Sequence, residues 1–395
     1  MHFAIPPEFQ SELEATGPPV DLGPDEEILS SIEQYKPVTS EKNIWAFWDS
    51  GIRSMPSWCQ RNVIGWARIC GADWTIRVLN MIPNSPNHVL KFIDRDMLPE
   101  AFLSRTMDGH HVGQHSADFV RGPLLLRYGG VSMDVGCLLI RHMDRICWDL
   151  LADPDSPYEI AVPVMYGETI ANHFFAARKN NVFIEKWHQL YMHLWNGRTN
   201  QKGISDNPLL GFMKDIRYDD AADFHWDWSV PVTQLLEYVA QVLCWQRLCL
   251  VRDTGDGFKS SEYWQRNILC IDALHEVWGS EKTLGFDGLG PRMYNLLTIR
   301  LDADPNSTDY KDAYKLVWRL LTKSSFQKVT RAKNLTHTPH LGTLWDQNEG
   351  QDCVPGSFGE LLRYGAVHFR QKRENIEQKK ACEPRTLIEK GLLEA

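Results

Sequence analysis

From residue 43 onward the apolar positions fall into a layered pattern. Ile44-Trp45-Ala46-Phe47-Trp48 is an unbroken apolar run closed by Asp49-Ser50-Gly51. It predicts a buried strand that ends in a turn. Pro56 then opens a helical pattern through Trp58, Val63, Trp66, Ile69 and Cys70, stopped by Gly71. Residues 74–79 alternate in part and predict a second strand. Short helices are expected over 86–93 and 97–104, and a longer one over 113–128. Pro123 should bend or interrupt that helix, and Gly129-Gly130 should end it. Residues 131–134, 137–140, 158–164 and 173–177 read as strands. Strands alternating with helices predict an α/β layered domain.

After residue 200 the strand pattern fades. Residues 230–251 predict one long helix beginning after Ser229, and 260–275 and 309–323 predict two more. The chain therefore divides into an extension over 1–42, an α/β core over 43–200, and a largely helical remainder over 201–395. That remainder would act as an acceptor region or lid and complete the core.

Charge sharpens this division. Of a net −9, residues 1–42 carry −7: nine acids against Lys36 and Lys42. With its scattered prolines this segment predicts a loosely packed arm. The body is nearly neutral and has no basic stripe, so nucleic acid drops out as a partner. Fifteen tryptophans point to large buried or ligand-facing aromatic surfaces. Nine cysteines without a C-x-x-C pair predict reduced, mostly buried thiols. No apolar run of about 18 residues and no signal-like N-terminus are present, which predicts a cytoplasmic chain without a membrane span.

The chemistry concentrates in residues 114–136. Asp118 and Arg121 stand three apart, on one helix face. After Tyr128-Gly129-Gly130 a short apolar strand delivers Asp134 at its C-terminal end, the edge where α/β sheets bind ligands. This order suits a nucleotide-sugar site. A departing diphosphate needs a divalent cation or fixed positive charge. Asp134 offers a hard carboxylate oxygen to Mn²⁺ or Mg²⁺. Asp118 can accept hydrogen bonds from sugar hydroxyls, and Arg121 can hold it or touch the donor. Taken singly, each feature also reads as an ordinary helix ion pair or a turn aspartate.

The run Gln114-His115-Ser116-Ala117-Asp118-Phe119-Val120-Arg121, continued by Leu125-Leu126-Arg127-Tyr128-Gly129-Gly130-Val131-Ser132-Met133-Asp134, resembles the core of the capsular-polysaccharide-synthesis glycosyltransferases. Those are related to the DXD-type transferases of glycosyltransferase family 32. The likeness extends to residues 44–51, Met55-Pro56 and 172–178. It implies a GT-A (Rossmann-like) fold, a nucleotide-sugar donor such as a UDP-sugar, Mn²⁺ or Mg²⁺, and retention of anomeric configuration. It also implies a hexosyl- or N-acetylhexosaminyl-transferase. By position, Asp118 and Arg121 match donor-sugar contacts and Asp134 the first acid of the metal motif. Trp48 falls where an aromatic stacks on uracil; packing at the strand end is the competing reading.

Two positions depart from the DXD pattern. Gly136 stands where the second acid would be, and Ser132 where an aromatic is common. One carboxylate makes a weak metal site. A second ligand must then come from elsewhere, or metal is dispensable, or catalysis is lost. The GT-A resemblance implies a late histidine completing the site, which nominates the segment Leu335-Thr336-His337-Thr338-Pro339-His340, with His337 and His340 as donor contacts and His337 as metal ligand. A solvated surface loop is the alternative for both, and His225 and His368 are poorer candidates. Phe224-His225-Trp226-Asp227-Trp228 would cap the following helix or line an acceptor pocket. The expected acceptor is a hydroxyl on a saccharide or on a small apolar molecule. The rival reading is a GT-A fold turned to ligand binding or another reaction.

Overall fold

The structure is a computed structural model that describes residues 3–16, 22–71, 73–215, 227–285, 289–330 and 334–395. The acidic N-terminal segment packs onto the body, where the sequence predicted a loose arm. Leu13–Ala15 (β1) carries the buried Leu13, and Asp25–Glu33 (α1) buries Ile28, Leu29 and Ile32. Asp25, Glu26 and Glu27 occupy the first turn of α1, where they complement the helix dipole.

The main sheet is built from Asn43–Phe47 (β2), Thr75–Leu79 (β3), Gly130–Met133 (β4), Ile160–Met165, Thr169–Ile170, Phe174–Ala177 and Ile268–Asp272. With Cys137–Leu139 as β5, the last four are β6, β7, β8 and β9. Strand β2 lies between β3 and β4, parallel to both. Strand β8 runs antiparallel to β4 on one side and β6 on the other, and β9 runs parallel to β6. The α/β class predicted from the sequence is the class the chain adopts.

Side chains along these strands alternate between two cores. Ile44, Ala46, Val131 and Phe174 enter one; Trp45, Phe47, Phe175 and Ala177 enter the other. Both faces are covered, so the strands read as continuous apolar runs. Ser57–Cys70 (α2) covers the first face together with C-terminal helices such as Thr308–Lys323. The short Glu100–Leu103 (α3) is followed by Val112–Tyr128 (α4). After Asp149–Ala152 (α5) comes Val182–Trp195 (α6); α4 and α6 cover the second face. The helix expected over 86–93 is a single 3-10 turn, Val89–Lys91, while the one expected over 97–104 is the short α3, preceded by the 3-10 turn Arg95–Met97.

The second half departs most from expectation. The predicted 230–251 helix is two, Val232–Tyr238 (α7) and Ala240–Leu250 (α8), broken at Val239. The predicted 260–275 helix stops after Ser260–Asn267 (α9) and turns directly into β9. Leu269 and Ile271 enter one core, Ile268 and Cys270 the other. A strand buried on both faces shows no alternation, so its run cannot be told from a buried helix by periodicity. Phe326–Lys328 (β10) pairs antiparallel with β5, and Phe369–Gln371 (β11) with β1. None of the nine cysteines is in a disulfide, and seven are buried. Among the described residues, no helix is long and apolar enough to cross a membrane.

Candidate functional site

The C-terminal ends of β2 and β4 open into a cavity of about 1720 Å³. Pockets for one drug-sized ligand span about 300–1,000 Å³, so this cavity has room for two substrates side by side. Trp48, Asp118, Arg121 and Asp134 lie on its wall. So do Leu235, Tyr238, Val242 and Leu243 of α7 and α8, with Phe212 and Trp264 beside them. One part of the wall is thus charged and another apolar.

The charged part is assembled by α4 and β4. Pro123 sits inside α4 without ending it. Gly129 ends it, with φ +67°, its N–H bonded to the Leu125 carbonyl at 2.9 Å. Gly130, with φ +96°, starts β4 against β2, where a Cβ would meet the Asn43 carbonyl oxygen at 2.5 Å. Only glycine tolerates both the left-handed backbone and that approach. The strand is therefore set directly beside the helix, and Asp134 emerges next to Arg121.

Arg121 joins the two carboxylates. Its Nη1 lies 2.9 Å from Asp118 Oδ1 and its Nη2 3.2 Å from Asp134 Oδ1. Nη1 also donates to the Asn172 carbonyl at 2.5 Å and to Gln241 Oε1 at 2.7 Å. Asp134 Oδ2 accepts from Lys328 Nζ at 2.8 Å. Two acids and two bases thus form one formally neutral chain, Asp118–Arg121–Asp134–Lys328.

Arg121 and Lys328 are nearly covered, while the Asp134 side chain keeps 33% of its surface exposed. Burial works to raise the Asp134 carboxyl, but Lys328 and Arg121 overcome it and hold the group below the usual range. Burial works to lower Lys328, but Asp134 reverses it and leaves the ammonium above its ordinary value. Both are ionised at neutral pH.

The structure brings Trp48, Asp118, Arg121 and Asp134 to one cavity. Trp48 is half-buried just past β2, with its backbone N–H on the Leu79 carbonyl at 2.9 Å. His337 and His340 are not on the cavity wall. The His337 backbone N–H is bonded to the Asp227 carbonyl, and the His340 ring faces the Thr336 hydroxyl at 3.3 Å. Asp227 also accepts from Thr338 N–H and Oγ1, so it ties down the histidine segment and does not cap α7. Trp228 does line the cavity. His368 stacks on Tyr364, and His225 lies outside the described residues.

Sequence reasoning missed Lys328 and Gln241. Both come from the second half, and only tertiary packing brings Gln241 to α4 and Lys328 to Asp134. Gln241 Nε2 donates to the Asp118 carbonyl at 2.7 Å while Oε1 accepts from Arg121. The one sequence signal for Lys328 is a lone basic residue closing the short segment Ser325-Phe326-Gln327-Lys328.

Among the described residues, Asp134 has no second ligand for the Mn²⁺ or Mg²⁺ expected there with His337 as partner. Each Asp134 oxygen already faces a cationic group, Gly136 brings no ligand, and His337 is absent from the wall. Among the described residues, Asp73, His142 and Asp144 are close enough together to hold a divalent ion. Asp144 is bound there by Lys42, which precedes β2, and by Trp74, which precedes β3. That group therefore sits at the strand starts, at the opposite edge of the sheet from the cavity.

Comparison with known proteins points to one family. Residues 25–204 match the model of the capsular polysaccharide synthesis protein family. The chain is 87% identical to "Probable glycosyltransferase FCK3" of Fusarium pseudograminearum over 100% of both chains. It is 36% identical to "Glycosyltransferase afumC" of Aspergillus fumigatus, covering 94% of this chain and 96% of that one. It is 38% identical to "O-glycosyltransferase PaGT" of Phomopsis amygdali, covering 90% and 89%. A core that matches the family model and identities that run nearly end to end assign the chain: it belongs to the capsular-polysaccharide-synthesis-type glycosyltransferases.

Proposed function

We propose that the protein transfers a hexosyl or N-acetylhexosaminyl group from a UDP-sugar to a hydroxyl of a small apolar acceptor, with retention. The observation that carries this reading is the Asp118–Arg121–Asp134 chain on the wall of a cavity large enough for two substrates. Trp48 would stack on the uracil at the end of β2. The Asp118 carboxylate, held by Arg121, would accept hydrogen bonds from the sugar hydroxyls. The diphosphate would lie over Asp134, at the sheet edge where ligands bind in open α/β folds.

Neither carboxylate is placed as a nucleophile. Asp118 is engaged by Arg121 and Asn172, and Asp134 by Arg121 and Lys328. Front-face substitution fits better. The acceptor oxygen bonds to the anomeric carbon on the face that UDP leaves. The bond from that carbon to the phosphate oxygen breaks, and its electron pair departs with UDP. The acceptor proton passes to the departing phosphate oxygen.

The apolar wall supports the acceptor class. Leu235, Val242, Leu243 and Trp264 offer ring and alkyl contact but few polar partners, which a saccharide would need. The relative named an O-glycosyltransferase favours a hydroxyl acceptor. The test is product formation from UDP-sugars and hydroxylated hydrophobic molecules, in wild type and Asp134→Asn. Transfer by wild type and its loss in a folded Asp134→Asn is expected. Full activity in the variant would sink the assignment.

A further inference from the structure

We propose that Lys328 supplies the positive charge that receives the donor's diphosphate, in the place where a second acid and its metal would otherwise stand. This rests on the glycosyl-transfer reading above and adds the residue that handles the leaving group.

The first observation is a fit between two positions 192 residues apart in sequence. A Cβ built on Gly136 would lie 3.3 Å from Lys328 Nζ and 3.8 Å from the Trp58 ring. The ammonium therefore occupies the space into which an acidic side chain at 136 would grow. An acid there would create a dicarboxylate, and the glycine leaves room for a cation carried by the chain itself. Second, both oxygens of Asp134 are already matched, Oδ1 by Arg121 and Oδ2 by Lys328. A divalent ion at Asp134 would have to displace a fixed cation or sit beside two of them, against like-charge repulsion.

Third, Lys328 is preorganised. It closes β10, directly opposite Cys137 of β5. The turn carrying Gly136 is pinned to the next residue, with Val329 N–H on the Gly136 carbonyl at 3.0 Å. The Lys328 backbone N–H bonds to the Val277 carbonyl at 3.1 Å. The side chain reaches the cavity wall, where Asp134 engages one of its three N–H donors. A fixed cation aimed at developing charge costs no reorganisation when UDP leaves. In this arrangement Asp134 is a positioning residue: it holds Lys328 at the diphosphate.

The test uses the full chain treated with EDTA and follows UDP and UDP-glucose binding by calorimetry and thermal shift, with EDTA or with added Mn²⁺. Wild type should bind equally in both conditions. Lys328→Met should lose about tenfold or more in UDP affinity. The double variant Asp134→Asn/Lys328→Met leaves no unpaired charge and should lose the same affinity, which separates charge from folding. Gly136→Asp combined with Lys328→Ala should gain Mn²⁺ dependence. Wild-type binding that requires Mn²⁺, or unchanged UDP affinity in both Lys328 variants, overturns the inference. No binding of UDP or UDP-sugars by folded wild type in either condition overturns the glycosyl-transfer reading itself.

Discussion

Gln241 on α8 is clamped to Asp118 on α4: its amide nitrogen donates to the Asp118 carbonyl at 2.7 Å, and its amide oxygen accepts from Arg121, the partner of the Asp118 carboxylate. One side chain thus ties the apolar wall to the charged wall. Gln241 is 2% exposed, so its loss strands buried polar groups. Gln241→Leu should destabilise the protein by about 1–3 kcal/mol. It should also lower kcat more than it raises donor KM, because Arg121 loses an anchor. Urea unfolding and steady-state kinetics on the same preparation check this, and an unchanged kcat would refute it.

Trp48 offers a flat, half-buried ring on the cavity wall. If it stacks on uracil, Trp48→Ala should raise donor KM about tenfold, near the energy of base–aromatic stacking. Trp48→Phe should retain most of the affinity. Equal losses in both variants would instead assign the residue to packing.

Asp352, buried beneath α2, is held by two arginines. Arg61 Nε donates to it at 2.8 Å and Arg363 Nη2 lies at 2.7 Å. Burial works to raise this carboxyl, but the Arg61 hydrogen bond and the charges of Arg363 and Arg61 hold it below the ordinary value. A depressed folded pKa means stability that is complete above the unfolded value and is lost as pH falls through the folded one. The acid limb of stability should therefore lie below about pH 4 for this group. Asp352→Ala should cost about 3–5 kcal/mol at neutral pH and flatten that limb. Melting temperature against pH in both proteins measures it.

Gly130→Ala should destabilise strongly. The φ of +96° strains any side chain, and the new Cβ would press on the Asn43 carbonyl, which belongs to a central strand and cannot yield. A loss of about 2–3 kcal/mol is expected from backbone strain alone. A change below about 0.5 kcal/mol in urea unfolding, the range of a neutral surface substitution, would refute the reading of this turn.

The first half of the fold was legible because its signals are local. Apolar runs closed by turns marked β2, β4 and β8, and the double glycine fixed where α4 ends and β4 begins. Asp118, Arg121, Asp134 and Trp48 lie close in sequence to those punctuation marks, so their meeting followed from the order of elements. Strand β9 was hidden because burial on both faces erases the period of two. The N-terminal segment was misjudged because its acids and prolines outweighed the few residues, Leu13, Ile28, Leu29 and Ile32, that dock it.

The sequence by itself determined the α/β class, the helix-to-strand turn and the acids delivered there, since backbone geometry and short-range spacing decide all three. Only tertiary structure decided what those acids meet. His337 and His340 were nominated by a family resemblance and by the turn-forming Pro339 between them, and packing placed them off the cavity wall. Lys328 and Gln241 carry no local signal and reach Asp134 and Asp118 through the β10–β5 pairing and the docking of α8 on α6, beside α4. Whether a carboxylate faces a metal or an ammonium depends on which distant side chain fills the space beside it, and that space exists only once the chain has folded.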